Sequence, residues 1–219
     1  MATVIATKRY ERDAKRLLTE QERAALRDAI ASNPEVYPVV RGTGGVRKAR
    51  WSRQGKGKRG GVRVIYYYWT PGDEVYLLHI YAKSEQADMS AADHKAVKAF
   101  VEVLKRAKEE KSGARAMSKT EKLTPVGKGV IEGLKEAIAH ARGEITLPTY
   151  RYPGRVDVKA IRAKSGLSQS EFAERYGFNL RTLQDWERRR VQAPSAVRAY
   201  LAVIDRFPEM VEKTLSGAA

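Results

Sequence analysis

The stretch GKGKRGGVRVIYYYW, from Gly55 to Trp69, sets a cationic, glycine-rich loop directly before the most strand-prone run in the chain. Arg47, Lys48, Arg50, Arg53, Lys56, Lys58, Arg59 and Arg63 all fall between Glu35 and Asp73, an interval with no carboxylate. Guanidinium and ammonium groups gathered in this way bind phosphates and stabilise charge that develops on phosphate oxygens. The spacing G-x-x-x-x-G-K-[ST] is missing, so the loop is not a P-loop. A second set of residues carries a different chemistry. In SQSEFAERYGFNLRTLQDWERRR, Ser168 and Glu171 have capping-box spacing, Gly177 falls at a tight turn, and Asn179 stands where the following helix needs its cap. This is helix-turn-helix spacing, and the second helix of such a pair reads base edges in the major groove. The chain has no cysteine, and His79, His94 and His140 lie far apart without ligand spacing. No metal and no cofactor is implied.

The rest of the sequence must position these two sets. Its 219 residues carry 42 Lys plus Arg against 26 Asp plus Glu, a formal charge of +16. That excess favours polyanions, nucleic acid ahead of an anionic membrane. No apolar run approaches 18 residues and the start MATVIATKRYERD turns polar at once, so the expectation is a cytoplasmic protein with no membrane partner. The length suits two small domains. Between Lys108 and Thr124 bulky apolar residues almost vanish, the composition of a linker. Met117 inside it is followed by SKTEK, an ordinary start for a second polypeptide, so the chain reads as two adjacent coding units joined.

The expected fold class is α+β followed by all-α. In residues 1–112, ATVIAT reads as a strand, two helical segments follow, and VRKARW, GVRVIYYYW and EVYLLHIYAK are strands. The last two are joined by the turn signal TPGD, and a helix with a Val97, Phe100, Val101 and Leu104 stripe closes the unit. The outcome is a small antiparallel sheet with packed helices. Alternation puts Arg63 on one side of its strand with Ile65, Tyr67 and Trp69, so that face is not wholly core. Residues 113–124 are the linker. In 125–152, Thr124 and Pro125 begin a helix whose Val130, Leu134, Ala137, Ile138 and Ala141 form one stripe, and an extended run adds Ile145, Leu147, Tyr150 and Tyr152. An isolated helix of this length is marginal in water, so the stripe needs a surface to bury it. In 153–219, Ile161, Leu167, Phe172, Leu183 and Trp186 supply the core of a helix-turn-helix bundle.

The order of blocks in residues 1–112, with GTGGVRKARW, GKGKRGGVRVIYYYW and VYLLHIYAKSEQADMS, resembles the RelE/HigB family of toxins, ribosome-dependent mRNA endonucleases of bacterial toxin–antitoxin pairs. That resemblance implies attack of an RNA 2′-hydroxyl on the adjacent phosphate, with Arg63 as phosphate clamp. By the same resemblance Lys56, Lys58 and Lys83 are catalytic: Lys56 and Lys58 match the family's basic loop, where such toxins place phosphate ligands and proton-transfer lysines, and Lys83 its basic position after the last strand. Arg47, Lys48, Arg50, Arg53 and Arg59 become RNA ligands. The sequence departs from the pattern at Ser84, where the best-known members carry an arginine, and in having no tyrosine from 82 to 116. The general acid and base stay open, with Tyr66, Tyr68 or Tyr81 as substitutes; His79 reads as a packed residue.

The block from about 155 to 207 resembles the Xre/Cro-like domains of HigA-type antitoxins. By that resemblance Arg181 and Asp185, with Gln184 and Arg188 nearby, face base edges, while Ser168, Gln169 and Thr182 contact phosphates. Relatives often have glycine just after this helix, where Arg189 stands. The same resemblance makes 125–152 the segment that neutralises the toxin, through Val130, Leu134, Ile138, Ile145 and Tyr150. The implied partners are mRNA on the ribosome, operator DNA and a toxin–antitoxin interface within or between chains, with a homodimer through the antitoxin half. The competing reading is a regulatory protein whose basic sheet binds nucleic acid without cutting.

Overall fold

Two threonines start the N-terminal helices. Thr7 follows strand β1 (Ala2–Ala6), and its Oγ1 accepts from the Tyr10 N–H to open α1 (Lys8–Leu17). The same hydroxyl donates to the Leu77 carbonyl at 3.0 Å, tying the helix start to the sheet. Thr19 and Glu22 make a reciprocal capping box at α2 (Glu20–Ser32), satisfying two donors that a helix start otherwise leaves unpaired. The computed structural model describes residues 2–52, 61–84, 88–110, 123–154 and 156–217. The chain divides into two compact units, Ala2–Arg151 and Tyr152–Ala219.

In the first unit β2 (Val46–Trp51), β3 (Val62–Trp69) and β4 (Glu74–Ala82) form an antiparallel meander. The expected turn between β3 and β4 is a 3-10 turn at Thr70–Gly72, closed by Asp73 at φ 49°. Strand β1 joins β4 in parallel, and β5 (Thr149–Tyr152) completes the order β2-β3-β4-β1-β5. The sheet is therefore mixed where the sequence predicts antiparallel pairing. The β1–β4 contact is non-local, and nothing in the local pattern of either strand specifies its direction.

Register decides what the sheet presents. Val46 opposes Tyr67, Lys48 opposes Ile65, and Arg50 opposes Arg63, which in turn opposes Tyr81. One end of this face is buried. Val46, Ile65, Tyr67, Tyr76 and Leu78 share a core with Val97, Phe100, Val101 and Leu104 of α3 (Ala91–Glu110) and with Val130, Ile131, Leu134 and Ile138 of α4 (Pro125–Ala141). Each such aliphatic side chain contributes roughly 1.5–3 kcal/mol on full burial.

Helix α4 sits against the sheet at backbone distance. A Cβ on Gly133 would lie 2.3 Å from the Leu78 carbonyl oxygen, and one on Gly129 would lie 2.7 Å from the His79 ring. Only hydrogen fits at either place. Polar contacts fix the start of the helix. The buried Asp93 carboxylate accepts from Ser90 N–H at 2.6 Å, Thr124 N–H at 3.0 Å and Thr124 O–H at 2.6 Å, so one group holds the starts of α3 and α4 together. Burial alone would raise its pKa, but the hydrogen bonds from Thr124 and Ser90 outweigh that and leave it below the ordinary aspartate value. Farther along, Glu136 accepts from the Lys8 and Arg9 N–H groups at the start of α1, and Glu132 pairs with the Arg9 guanidinium. After a turn at Gly143 (φ 78°), Leu147 returns to the core and donates its N–H to His140 Nδ1 at 3.3 Å. Tyr150 lies with its ring centroid 4.1 Å from the Arg27 guanidinium carbon and its hydroxyl 3.4 Å from Glu11.

The second unit is helical: α5 (Val158–Ser165), α6 (Gln169–Arg175), α7 (Leu180–Glu187), α8 (Ser195–Arg206) and α9 (Pro208–Leu215). Ile161, Phe172, Leu183 and Trp186 lie in its core, and Leu167 packs against them. The buried Arg198 donates to the Ala193 carbonyl at 2.7 Å and the Pro153 carbonyl at 3.1 Å, joining loop segments that the hydrophobic pattern leaves unconnected.

Gly133→Ala should lower the unfolding free energy of the first unit by about 1–3 kcal/mol, as overpacking against backbone does. Urea unfolding followed by circular dichroism checks this, with Gly143→Asn, in open space at the helix end, as the milder comparison.

Candidate nucleic-acid interfaces

The open end of the sheet face carries the charges. Arg50, Arg63 and Tyr81 form a row across β2, β3 and β4, and Lys48 lies on the Arg50 side of β2, one pleat nearer the core. Arg50 is exposed and Arg63 half-buried, and no carboxylate among the described residues lies within ion-pair distance of either. Two cations directly opposite each other in a ladder repel. A phosphate placed between them would remove that repulsion. Lys48 donates to Asp88 at 2.9 Å, and the Tyr81 hydroxyl donates to the same carboxylate at 3.3 Å. The hydrogen bond from Lys48 holds Asp88 below the ordinary aspartate range, while burial, then Asp88 itself, push the Tyr81 phenol up. Lys83 is exposed just past the end of β4.

Of the residues singled out from sequence, the fold thus gathers Lys48, Arg50 and Arg63 on one surface. Arg47 points elsewhere: it opposes Tyr66 on the other face, where its guanidinium donates to the Glu35 and Tyr37 carbonyls at 2.8 and 2.7 Å. Arg53, Lys56, Lys58 and Arg59 lie outside the described residues. Of the tyrosines, Tyr66 donates to the Pro34 carbonyl and Tyr68 to Asp73, so only Tyr81 stands in the cationic row. His79 is 1% exposed, stacked on Tyr81 with ring centroids 5.6 Å apart. Sequence reasoning missed Asp88 and Asp93. Their only signal was position, Asp88 between β4 and α3 and Asp93 in the first turn of α3. Among the described residues no group of three or more His, Asp or Glu side chains is placed to hold a metal ion.

The second unit presents its own surface. Ser168 and Glu171 form the expected capping box on α6, and Asn179 accepts from the Thr182 N–H at 3.1 Å to start α7. Gly177 adopts φ 72° between them. Arg181, Thr182 and Arg188 are exposed, Gln184 and Asp185 half-buried, and the Ser168 side chain serves as the cap. A polar ladder sets the geometry. Arg162 holds Glu187 through contacts of 2.7 and 3.2 Å, Glu187 accepts from Gln169 at 2.8 Å, and Gln169 accepts from Gln184 at 3.3 Å. Burial would raise the Glu187 pKa, but Arg162 and Gln169 more than offset it, and the group is ionised well below neutrality. Both glutamine amides are therefore oriented from the core outward. Asp185 lies 3.7 Å from Arg190, so its carboxylate already has a cation beside it.

The end of α7 is strained at the position the sequence marks. Arg189 has φ 58°, and its N–H reaches the Trp186 carbonyl while that of Arg190 reaches Asp185, the Schellman pattern usually made by glycine. A non-glycine residue there costs about 1–2 kcal/mol.

A small basic α+β unit followed in the same chain by a helix-turn-helix unit defines the class: a protein built to meet nucleic acid twice. A family model described as the RelE toxin of the RelE / RelB toxin-antitoxin system matches residues 3–126, and a helix-turn-helix model matches residues 158–202. The chain belongs to the RelE toxin family, whose members are ribonucleases, and joins that toxin domain to a DNA-binding domain of the antitoxin kind. No described helix is long and apolar enough to cross a membrane.

Arg189→Gly should stabilise the second unit by about 1 kcal/mol, since relief of the left-handed strain outweighs glycine's extra chain entropy. Hydrogen-exchange protection of the α5–α7 amides in the full chain measures it; the 3.5 Å ion pair with exposed Asp157 that the change removes is worth little.

Proposed function

We propose that the chain is a ribosome-dependent mRNA endonuclease of a type II toxin–antitoxin pair, held in one polypeptide with its own inhibitor and with a repressor that binds operator DNA as a homodimer. The observation that carries the reading is the split sheet face: Arg50, Arg63 and Lys48 reach the surface at one end, with the hydroxyl of buried Tyr81 directed to Asp88 beside them, while α4 is bound into the core at the other. In the reaction the 2′-hydroxyl of the mRNA attacks the neighbouring phosphorus. Charge grows on the phosphorane oxygens, and fixed cations in a preorganised site stabilise it without a metal ion. Arg63 is the clamp, and Arg50, Lys48 and Lys83 flank it. Lys56, Lys58, Arg53 and Arg59 belong to the same acid-free run of sequence and are further candidate phosphate ligands.

The toxin domain is 1–112, followed by a linker over 113–124. Residues 125–152 neutralise it: Val130, Leu134 and Ile138 in the shared core, Ile145 packed beside it, and Tyr150 on Arg27. Residues 153–219 are the repressor, with Arg181 and Asp185 toward base edges and Gln184, Arg188, Thr182, Gln169 and Ser168 completing the contact surface. Ribosome and operator place the protein in the cytoplasm.

The test uses mRNA cleavage on programmed ribosomes mapped by primer extension. Glu132→Arg with Glu136→Arg reverses the surface contacts of α4 to α1 without touching the core, and loss of α4 amide protection verifies that the helix has loosened. This loosened chain should make discrete cuts, the parent fewer, and the loosened chain with Arg63→Ala none. A loosened, ribosome-bound chain that cuts nothing would favour the regulatory reading. For the repressor half, Arg181→Ala should cost about 1–3 kcal/mol at one base position, whereas an equal loss on every sequence would exclude direct readout.

A further inference from the structure

Among the described residues, one carboxylate stands among the cations at the open end of the sheet. Asp88 lies between β4 and α3 with its side chain 71% exposed, and Lys48 and Tyr81 both donate to its Oδ1. Among the described residues both donors share one oxygen and none reaches Oδ2, which keeps its lone pairs for a third. Arg63 stands in the ladder beside Tyr81, close enough to act on the charge of both Tyr81 and Asp88.

Resting on the endonuclease reading, we infer that Asp88 and Lys48 are the proton-transfer pair of the cleavage. Asp88 Oδ2 takes the proton of the attacking 2′-hydroxyl, and Lys48 Nζ gives one to the departing 5′-oxygen. The bond from the 2′-oxygen to phosphorus forms as the bond from phosphorus to the 5′-oxygen breaks, leaving a 2′,3′-cyclic phosphate and a 5′-hydroxyl. Once the product leaves, the protonated Asp88 returns its proton to the neutral Lys48 amine, whose Nζ stands 2.9 Å from Oδ1 of the same carboxyl group, and the protons balance within the pair.

The other described groups at this end are poorer acceptors. Burial and Asp88 push the Tyr81 phenol up, so at neutral pH it is a donor. His79 is buried beneath Gly129 of α4, away from any RNA on the open surface. Arg50, Arg63 and Lys83 are cations. The hydrogen bond from Lys48 keeps Asp88 ionised, which by itself makes a weak base. Substrate changes that balance: phosphate oxygens drawn to Lys48 compete with Asp88 for its N–H groups, and a carboxylate that gives up a donor becomes more basic. The base strengthens when the phosphate arrives.

Single-turnover cleavage on programmed ribosomes by the loosened chain described above tests the pair. Asp88→Asn should slow cutting by roughly a hundredfold or more with ribosome binding retained, as loss of a general base does, and Asp88→Glu should recover part of the rate. Lys48→Met should also be slow but should regain its rate on mRNA carrying sulfur in place of the scissile 5′-oxygen, because a thiolate leaves without a proton. Asp88→Asn should gain nothing from that sulfur. Cutting by Asp88→Asn within about threefold of its parent, far less than general-base loss produces, would reduce Asp88 to a counter-ion and overturn the inference while leaving the endonuclease reading intact. A Lys48→Met defect unchanged on the sulfur substrate would remove Lys48 as the acid. If the loosened parent itself makes no cut, the pair falls together with the endonuclease reading.

Discussion

The Asp93 carboxylate accepts hydrogen bonds at the starts of two helices, and the layout of the sheet face depends on it. A buried carboxylate is tolerable only when its oxygens are filled, and here Ser90 and Thr124 fill them. Once those residues are drawn together, α4 must begin beside the open end of the face and run over β4, with Gly129 and Gly133 against the strand. The apolar half is then closed by α3 and α4 together, and the cationic half is left outside the helical cover. A side chain in place of either glycine would lift the helix and expose Leu78 and Tyr76 to water.

Much of this was legible from the residues alone. The alternation of GVRVIYYYW put Arg63 on a face shared with Ile65 and Tyr67, and the register agrees. The caps at Ser168 and Asn179 located the helix-turn-helix, and the stripe through Val130, Leu134 and Ile138 announced a helix in need of a surface. What stayed hidden was relational. Whether Lys48 or Arg47 meets Arg63 depends on register, which exchanges the two faces with a shift of one residue. Asp88 and Asp93 are short, common side chains, one in a connecting segment and one in the first turn of α3, and their importance arises only from what the fold brings to them. The parallel β1–β4 pairing, the carbonyl contacts of buried Arg198 and the Glu136 contact at the start of α1 belong to the same category.

Both units orient their outward polar groups from within. In the helical unit the ladder from Arg162 through Glu187 and Gln169 to Gln184 fixes side chains that a flexible surface would leave to rotate. On the sheet, Tyr81 is held by its own burial and holds Asp88, which holds Lys48. A buried aromatic or ion pair at the root and a free polar atom at the tip is an economical way to preorganise a surface, because the ordering entropy is lost on folding rather than on binding.

The opposition of Arg50 and Arg63 has a thermodynamic corollary. Like charges facing each other across a ladder weaken the sheet, so the folded first unit carries an electrostatic penalty that any bound polyanion relieves. Binding to the native state alone shifts the folding equilibrium by an amount that grows with the logarithm of ligand concentration. On the proposed function a nucleic acid is, for this domain, a stabiliser as well as a target: its heat resistance then rises with the RNA that surrounds it, and it is least durable where it has nothing to bind.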